Sequence, residues 1–168
     1  MKPANLKKKR GFTIIEVLIA VAIITIGILG ILATIYQTVA YMNLSSSRLT
    51  AIYLTQEGME IVRNIRDTNW LEGALWNDGL GIGIFEVDYD DSSLSVYGGG
   101  NYLKIDNGFY NYSNGDQTKF QRKITIENTD CPDGNCISVY VETSWQQLGK
   151  THNVVAVEHL YDWYSGQN

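Results

Sequence analysis

Three patterns in this 168-residue chain predict an α+β fold, with one long N-terminal helix packed on a C-terminal antiparallel β-sheet. From Phe12 to Ala40 almost every residue is apolar or small, and no proline interrupts the run. From 41 to 66 the apolar residues return at three- and four-residue steps, as on one face of a helix. From Phe120 onward apolar and polar residues alternate, as in strands with one buried face.

Residues 1–11 form a short basic leader in which Lys7, Lys8, Lys9 and Arg10 precede Gly11. Residues 12–40 follow as an apolar segment longer than the roughly 20 residues that span a bilayer. A secretory signal peptide starts in the same way, but its apolar core covers only about 7–15 residues before a cleavage site of small residues. Thr38-Val39-Ala40 matches such a site poorly. Positive charge flanking a spanning helix stays in the cytoplasm. The expected topology is therefore a single-pass precursor in the cytoplasmic (inner) membrane, N-terminus inside, with the rest exported.

Residues 41–66 contain one glycine and no proline. Ala51, Leu54, Gly58, Ile61, Val62 and Ile65 make the apolar stripe, and Gln56, Glu57, Glu60, Arg63 and Asn64 lie mostly off it. The apolar and amphipathic segments together read as one helix of about 50 residues, on the order of 75 Å long. A partner domain of about 100 residues cannot cover that length, so part of the helix must pack on something else.

Residues 67–168 read as an exported globular β-rich domain. Strand-like pieces at Ile82–Tyr89, Tyr102–Ile105 and Phe109–Tyr112 alternate with turn sequences such as Asn77-Asp78-Gly79, Asp106-Asn107-Gly108 and Asn114-Gly115. Phe120, Ile124 and Ile126 alternate with Gln121, Lys123 and Thr125. Ile137, Val139, Val141 and Trp145 alternate with Ser138, Tyr140, Glu142 and Ser144. Val154 to Tyr164 is apolar on both faces, which predicts a central strand. Short turns between these three runs predict an antiparallel meander, one face of which covers the helix stripe.

The net charge of −5 conceals an asymmetry. Lys2, Lys7, Lys8, Lys9 and Arg10 precede Gly11, leaving eight basic against eighteen acidic residues in the rest. An acidic body argues against nucleic acid as a partner.

Glu16 is the only Asp, Glu, Lys, Arg or His between Arg10 and Arg48. A charge near the centre of a spanning helix costs at least about 2.5 kcal/mol, and less near the interface. Glu16 stands one turn from the basic leader, so it can reach the cytoplasmic surface. A second reading gives it a cationic partner: cutting after Gly11 creates an ammonium at Phe12, its own or that of a neighbouring copy.

The run Gly11-Phe12-Thr13-Ile14-Ile15-Glu16-Val17-Leu18-Ile19-Ala20 behind its Lys/Arg leader resembles the class III signal of type IV pilins and type II secretion pseudopilins. The resemblance covers about the first 30 residues. It implies cleavage between Gly11 and Phe12 by a membrane aspartyl protease, the prepilin peptidase, followed by N-methylation of Phe12. It implies that Glu16 is the assembly glutamate, that other pilin subunits pack on the N-terminal helix, and that an inner-membrane assembly platform and an ATPase take part. Membrane lipid surrounds the helix before assembly. Thr25 to Ala33 is similar to PilV-type minor pilins, and Ala51 to Glu60 fits that group less specifically. Many major pilins carry a proline near the position of Ala33, where this chain has none, so the resemblance leans towards a minor pilin.

The chain carries other motifs beside this one. Cys131 and Cys136 flank Pro132-Asp133-Gly134-Asn135 between two expected strands. In an exported domain the expectation is a disulfide pinning a hairpin, with free thiols as the alternative. Zinc needs four ligands, and His152 and His159, seven apart, face opposite sides of a regular strand. Asp88-Tyr89-Asp90-Asp91 offers clustered oxygens but not the spacing of a known calcium loop, so a solvated acidic turn is expected. Gly79-Leu80-Gly81-Ile82-Gly83 has no strand before it or helix start after it, and Gly98-Gly99-Gly100 is not followed by Lys-Ser/Thr. No metal, no cofactor and no enzymatic activity are expected. Eleven Tyr and four Trp make the chain rich in aromatics, many of them between 67 and 118. Core packing or an exposed contact surface would each account for them.

The expectation is a structural, non-enzymatic subunit, a minor pilin, of a type IV pilus or similar filament at the cell surface or in the periplasm. A pseudopilin of a type II secretion or DNA-uptake system is the first alternative. A monomeric single-pass membrane protein with an external ligand-binding domain is the second.

Overall fold

The computed structural model describes residues 11–128 and 136–163. Its contacts group into two compact units, residues 1–43 and 44–168, and one helix, α1 (Ile14–Glu72), contributes to both.

In the first unit α1 is apolar on every side, and none of its residues is buried. Its threonine hydroxyls are satisfied within the helix. Thr25, Thr34 and Thr38 donate to the carbonyls of Val21, Gly30 and Thr34 at 2.8, 3.0 and 2.9 Å. By length and composition this helix can cross a membrane. Internal bonding of these hydroxyls suits such an environment, where no water replaces a missing partner.

In the second unit α1 buries one face through Ser47, Ala51, Leu54, Thr55, Gly58, Met59, Ile61, Val62 and Ile65, the expected stripe with its polar neighbours. The helix runs six residues beyond the expected end at 66. What stops it is Gly73, at φ +72°. The Gly73 amide donates to the Trp70 carbonyl at 3.2 Å and the Ala74 amide to the Asn69 carbonyl at 2.9 Å. These two bonds form a Schellman cap, whose left-handed residue favours glycine.

A five-stranded antiparallel sheet covers this face of α1. Its order is β2 (Ser95–Val96), β1 (Gly83–Glu86), β6 (Phe120–Asn128), β7 (Cys136–Gln147) and β8 (Lys150–Tyr161). The strands β6, β7 and β8 are the expected meander. Ile124 pairs with Val141, and Val141 with Ala156. A small second sheet has the order β4 (Phe109–Asn111), β3 (Lys104–Asp106), β5 (Asp116–Gln117). The β3–β4 turn places Asn107 at φ 50° and Gly108 at φ 89°, the left-handed pair that a tight hairpin needs.

The expectation of a central strand at Val154 to Tyr164 is corrected: β8 is an edge strand. Its outward residues Val155, Val157 and Tyr161 are about half-exposed. Apolar residues on both faces of β8 therefore do not mark a strand with neighbours on both sides.

The main core cluster joins Met59, Ile61, Val62 and Ile65 of α1 to Ile124, Ile126, Val139, Val141 and Leu160 of the sheet. A second cluster joins Ala51 and Leu54 to Leu103, Phe120 and Trp145.

Candidate functional site

The N-terminal junction is built on a helix start. Thr13 stands just before α1, and its hydroxyl accepts the Glu16 amide at 3.3 Å, while its carbonyl accepts the same amide at 3.1 Å and that of Val17 at 3.2 Å. Thr13-Ile14-Ile15-Glu16 thus has the Thr-x-x-Glu spacing of a capping box. An acidic side chain in the first turn also faces the positive end of the helix dipole. Glu16 therefore has a local role that the sequence reading missed, although the four-residue signal was legible. Gly11 and Phe12 lie outside the helix, with Phe12 exposed and no atom within 4 Å of a Cβ built on Gly11. Both residues are exposed among the described residues. Lys7, Lys8, Lys9 and Arg10 lie outside the described residues.

A second constellation locks the amphipathic half of α1 to the sheet. Arg122 of β6 is completely buried. Its guanidinium donates to the Glu57 carboxylate at 2.7 Å, to the Leu54 carbonyl at 3.1 Å and to the Val87 carbonyl at 2.6 Å. One side chain thereby ties together α1, β6 and the segment after β1. Gly58 makes room for it. A Cβ at that position would stand 3.1 Å from Arg122 Cδ and 3.0 Å from Val141 Cγ1. Nearby, Tyr112 donates its hydroxyl to the Arg122 carbonyl at 3.1 Å, and burial pushes its phenol up to about 12. Thr55 and Thr143 meet across the seam at 2.9 Å. The alternation of Phe120, Ile124 and Ile126 put position 122 on the inner face, but a charged residue there was passed over.

The remaining sequence candidates are scattered. Cys136 is buried at the start of β7, and Cys131 lies outside the described residues, so the expected pairing falls partly outside them. His152 stacks on Trp145, and His159 Nδ1 lies 2.9 Å from Ser138 Oγ. The two histidines occupy opposite faces of β8, as their spacing predicts. In the acidic loop, Asp88 Oδ1 accepts the Tyr112 amide at 2.8 Å, and Asp91 Oδ2 accepts the Asp88 amide at 2.8 Å. Burial, and then the charge of Asp91, outweigh the Tyr112 bond and hold the Asp88 carboxyl above its ordinary value. The aromatics divide: Trp76 belongs to the main core cluster and Tyr112 packs against the second one, while Tyr89 and Tyr102 are exposed.

One long, partly apolar helix on an antiparallel sheet, behind a basic leader, fits the type IV pilin-like fold. Residues 6–32 match the family model described as the prokaryotic N-terminal methylation motif. That match spans the junction and the first part of α1, and it supports a processed subunit of pilin or pseudopilin type. No curated protein and no solved structure matches the chain.

Proposed function

We propose that the protein is a structural filament subunit, a minor pilin of a type IV pilus, processed at Gly11–Phe12, methylated at Phe12 and assembled through residues 12–40. One observation carries this reading: the matched motif runs directly into a helical stretch whose apolar residues are all exposed. Exposed apolar surface on that scale requires lipid or other subunits. Before assembly lipid covers it; afterwards neighbouring helices do. A contact that joins different faces of successive subunits does not close, and it propagates as a filament. In that packing Glu16 meets a Phe12 ammonium, and a paired charge is tolerated where a single one is not. The prepilin peptidase and the membrane platform are the partners this requires, with no cofactor and no enzymatic step of the protein's own. The disulfide between Cys131 and Cys136 would close the loop between β6 and β7. The lack of a proline near Ala33 and the similarity of Thr25 to Ala33 favour a PilV-type minor subunit over a major one.

Intact mass of the native protein tests the processing step. The expected mass lacks residues 1–11 and gains one methyl group, and a retained leader sinks the proposal. Glu16→Ala tests assembly. The variant is expected in the membrane but not in sheared filaments, and its recovery in filaments at wild-type level would refute the charge pairing.

A further inference from the structure

The aromatic residues Tyr89 and Phe109 do not serve the core. Their rings stack with centroids 4.8 Å apart at 23°, yet Tyr89 is 42% and Phe109 55% exposed. They line a cavity of about 360 Å³ on the β3–β4 side of the domain, within the size range of small-molecule sites.

The walls are held in place before any ligand arrives. The β3–β4 hairpin carries Asp106, Asn107 and Phe109 on its tight turn. The loop after β1 carries Tyr89 and Asp90, and the Asp88 carboxylate ties that loop to the Tyr112 amide. A preformed wall loses little ordering entropy when it binds.

The polar groups in this wall are open. The side chains of Asp90, Asp106 and Asn107 have no hydrogen-bond partner among the described residues. Asn111 is only 8% exposed. Its Oδ1 accepts the amides of Ser113 and Asn114 at 2.9 and 2.7 Å, and its NH₂ group has no partner among the described residues. That NH₂ group is open to solvent, so a ligand oxygen can take the place of water on it.

We propose that this cavity binds a neutral sugar ring of a glycan. A pyranose has an apolar C–H face and a rim of hydroxyls that both donate and accept. The C–H face suits the exposed aromatic surface of Tyr89 and Phe109. The hydroxyl rim donates to Asp90 and Asp106 and accepts from Asn107 and Asn111. A cationic ligand would use the carboxylates and the rings but leave the amide donors unmatched. A calcium ion would use the oxygens and ignore the rings. Only the sugar engages all three kinds of wall. The proposal stands apart from the filament reading, since a monomer in detergent carries the same cavity.

The test uses the full chain in a detergent without a sugar headgroup. The probes are maltotriose, mannotriose and chitotriose, read by saturation-transfer NMR, with tetralysine and calcium chloride as competitors. At least one trisaccharide is expected to receive saturation through its ring C–H protons. Its affinity should fall at least about tenfold in Phe109→Ala and in Asp106→Ala. Both side chains are exposed, so the thermal melt followed by tryptophan fluorescence should be unchanged in both variants. Three results would each overturn the proposal: no binding of any of the three sugars, binding that survives Phe109→Ala, or displacement of the sugar by tetralysine or calcium.

Discussion

The two halves of α1 share one backbone geometry and differ in everything that surrounds it. Over residues 14–43 the helix buries nothing, although nearly all its side chains are apolar. Over 44–72 it buries nine residues, and three of them, Ser47, Thr55 and Gly58, are not hydrophobic. Hydrophobicity alone therefore does not say where the folded chain buries its helix. The first half carries a surface meant for lipid or neighbours, uniform around the axis. The second half carries a surface meant for one particular sheet, with specific contacts and a specific hole at Gly58. Changes in the second half should register in the stability of the isolated protein, and changes in the first half only in its assembly. All four tryptophans follow residue 66, so tryptophan fluorescence of the full chain in detergent reports on the second unit.

Arg122→Met should produce the largest loss. It removes three hydrogen bonds and leaves the Glu57 carboxylate and the Val87 carbonyl without their partner. Destabilisation of about 3 kcal/mol is expected, read as a lowered melting temperature. Adding Glu57→Leu should recover only the part owed to the stranded carboxylate, because the Val87 carbonyl stays without its donor. An Arg122→Met protein that melts like wild type would remove the lock between helix and sheet.

The glycines sharpen the contrast between the halves. Gly58→Ala should destabilise by about 1–2 kcal/mol despite the better helix propensity of alanine, since the added methyl meets Val141 and Arg122. Gly30→Ala adds a methyl with nothing within 4 Å, so the same melt should not fall. Equal effects at the two positions would contradict the division between the two halves.

Thr55→Val should cost about 1 kcal/mol by leaving the Thr143 hydroxyl without its partner across the seam, and Thr143→Val less, since the Thr55 hydroxyl still donates to the Ala51 carbonyl. The double variant should cost less than the sum, and a strictly additive pair would show that the two hydroxyls do not interact.

The smallest effect concerns pH. Hydrogen bonds from Lys123 and then Asn153 hold the Glu142 carboxyl below its ordinary value. An acid lowered in the folded state adds stability that is fully present above its unfolded value. That stability is lost as pH falls through the folded value. Lys123→Ala should therefore lower stability by less than about 1 kcal/mol at neutral pH, the pair being partly exposed. The difference from wild type should vanish in acid. A difference that persists there would locate the role of Lys123 in packing.

Much of this was legible in local patterns. The 3.6-residue stripe identified the buried face of α1, because a helix buries whatever recurs on its own turn. Alternation identified the inner faces of β6 and β7, because the pleat has a period of two. Asp106-Asn107-Gly108 identified its hairpin, because few residues tolerate left-handed backbone. The end of α1 was misplaced at 66 because the composition changes there, whereas Gly73 supplies the stop. The candidate sites split in the same way. Gly11, Phe12 and Glu16 are close together in sequence, so a short motif displays them together. Arg122 of β6 lies 65 positions from Glu57 and 64 from Gly58, and only the fold brings it into contact with them.

By itself, then, the sequence determined the membrane-competent helix, the N-terminal methylation motif and the class of fold, since each depends on residues close together along the chain. Tertiary structure alone decided that β8 lies at the edge, that a buried arginine ties helix to sheet, and that Tyr89 and Phe109 share a cavity with Asn111. Those facts depend on which distant segments pair, and pairing follows from the packing of the whole domain.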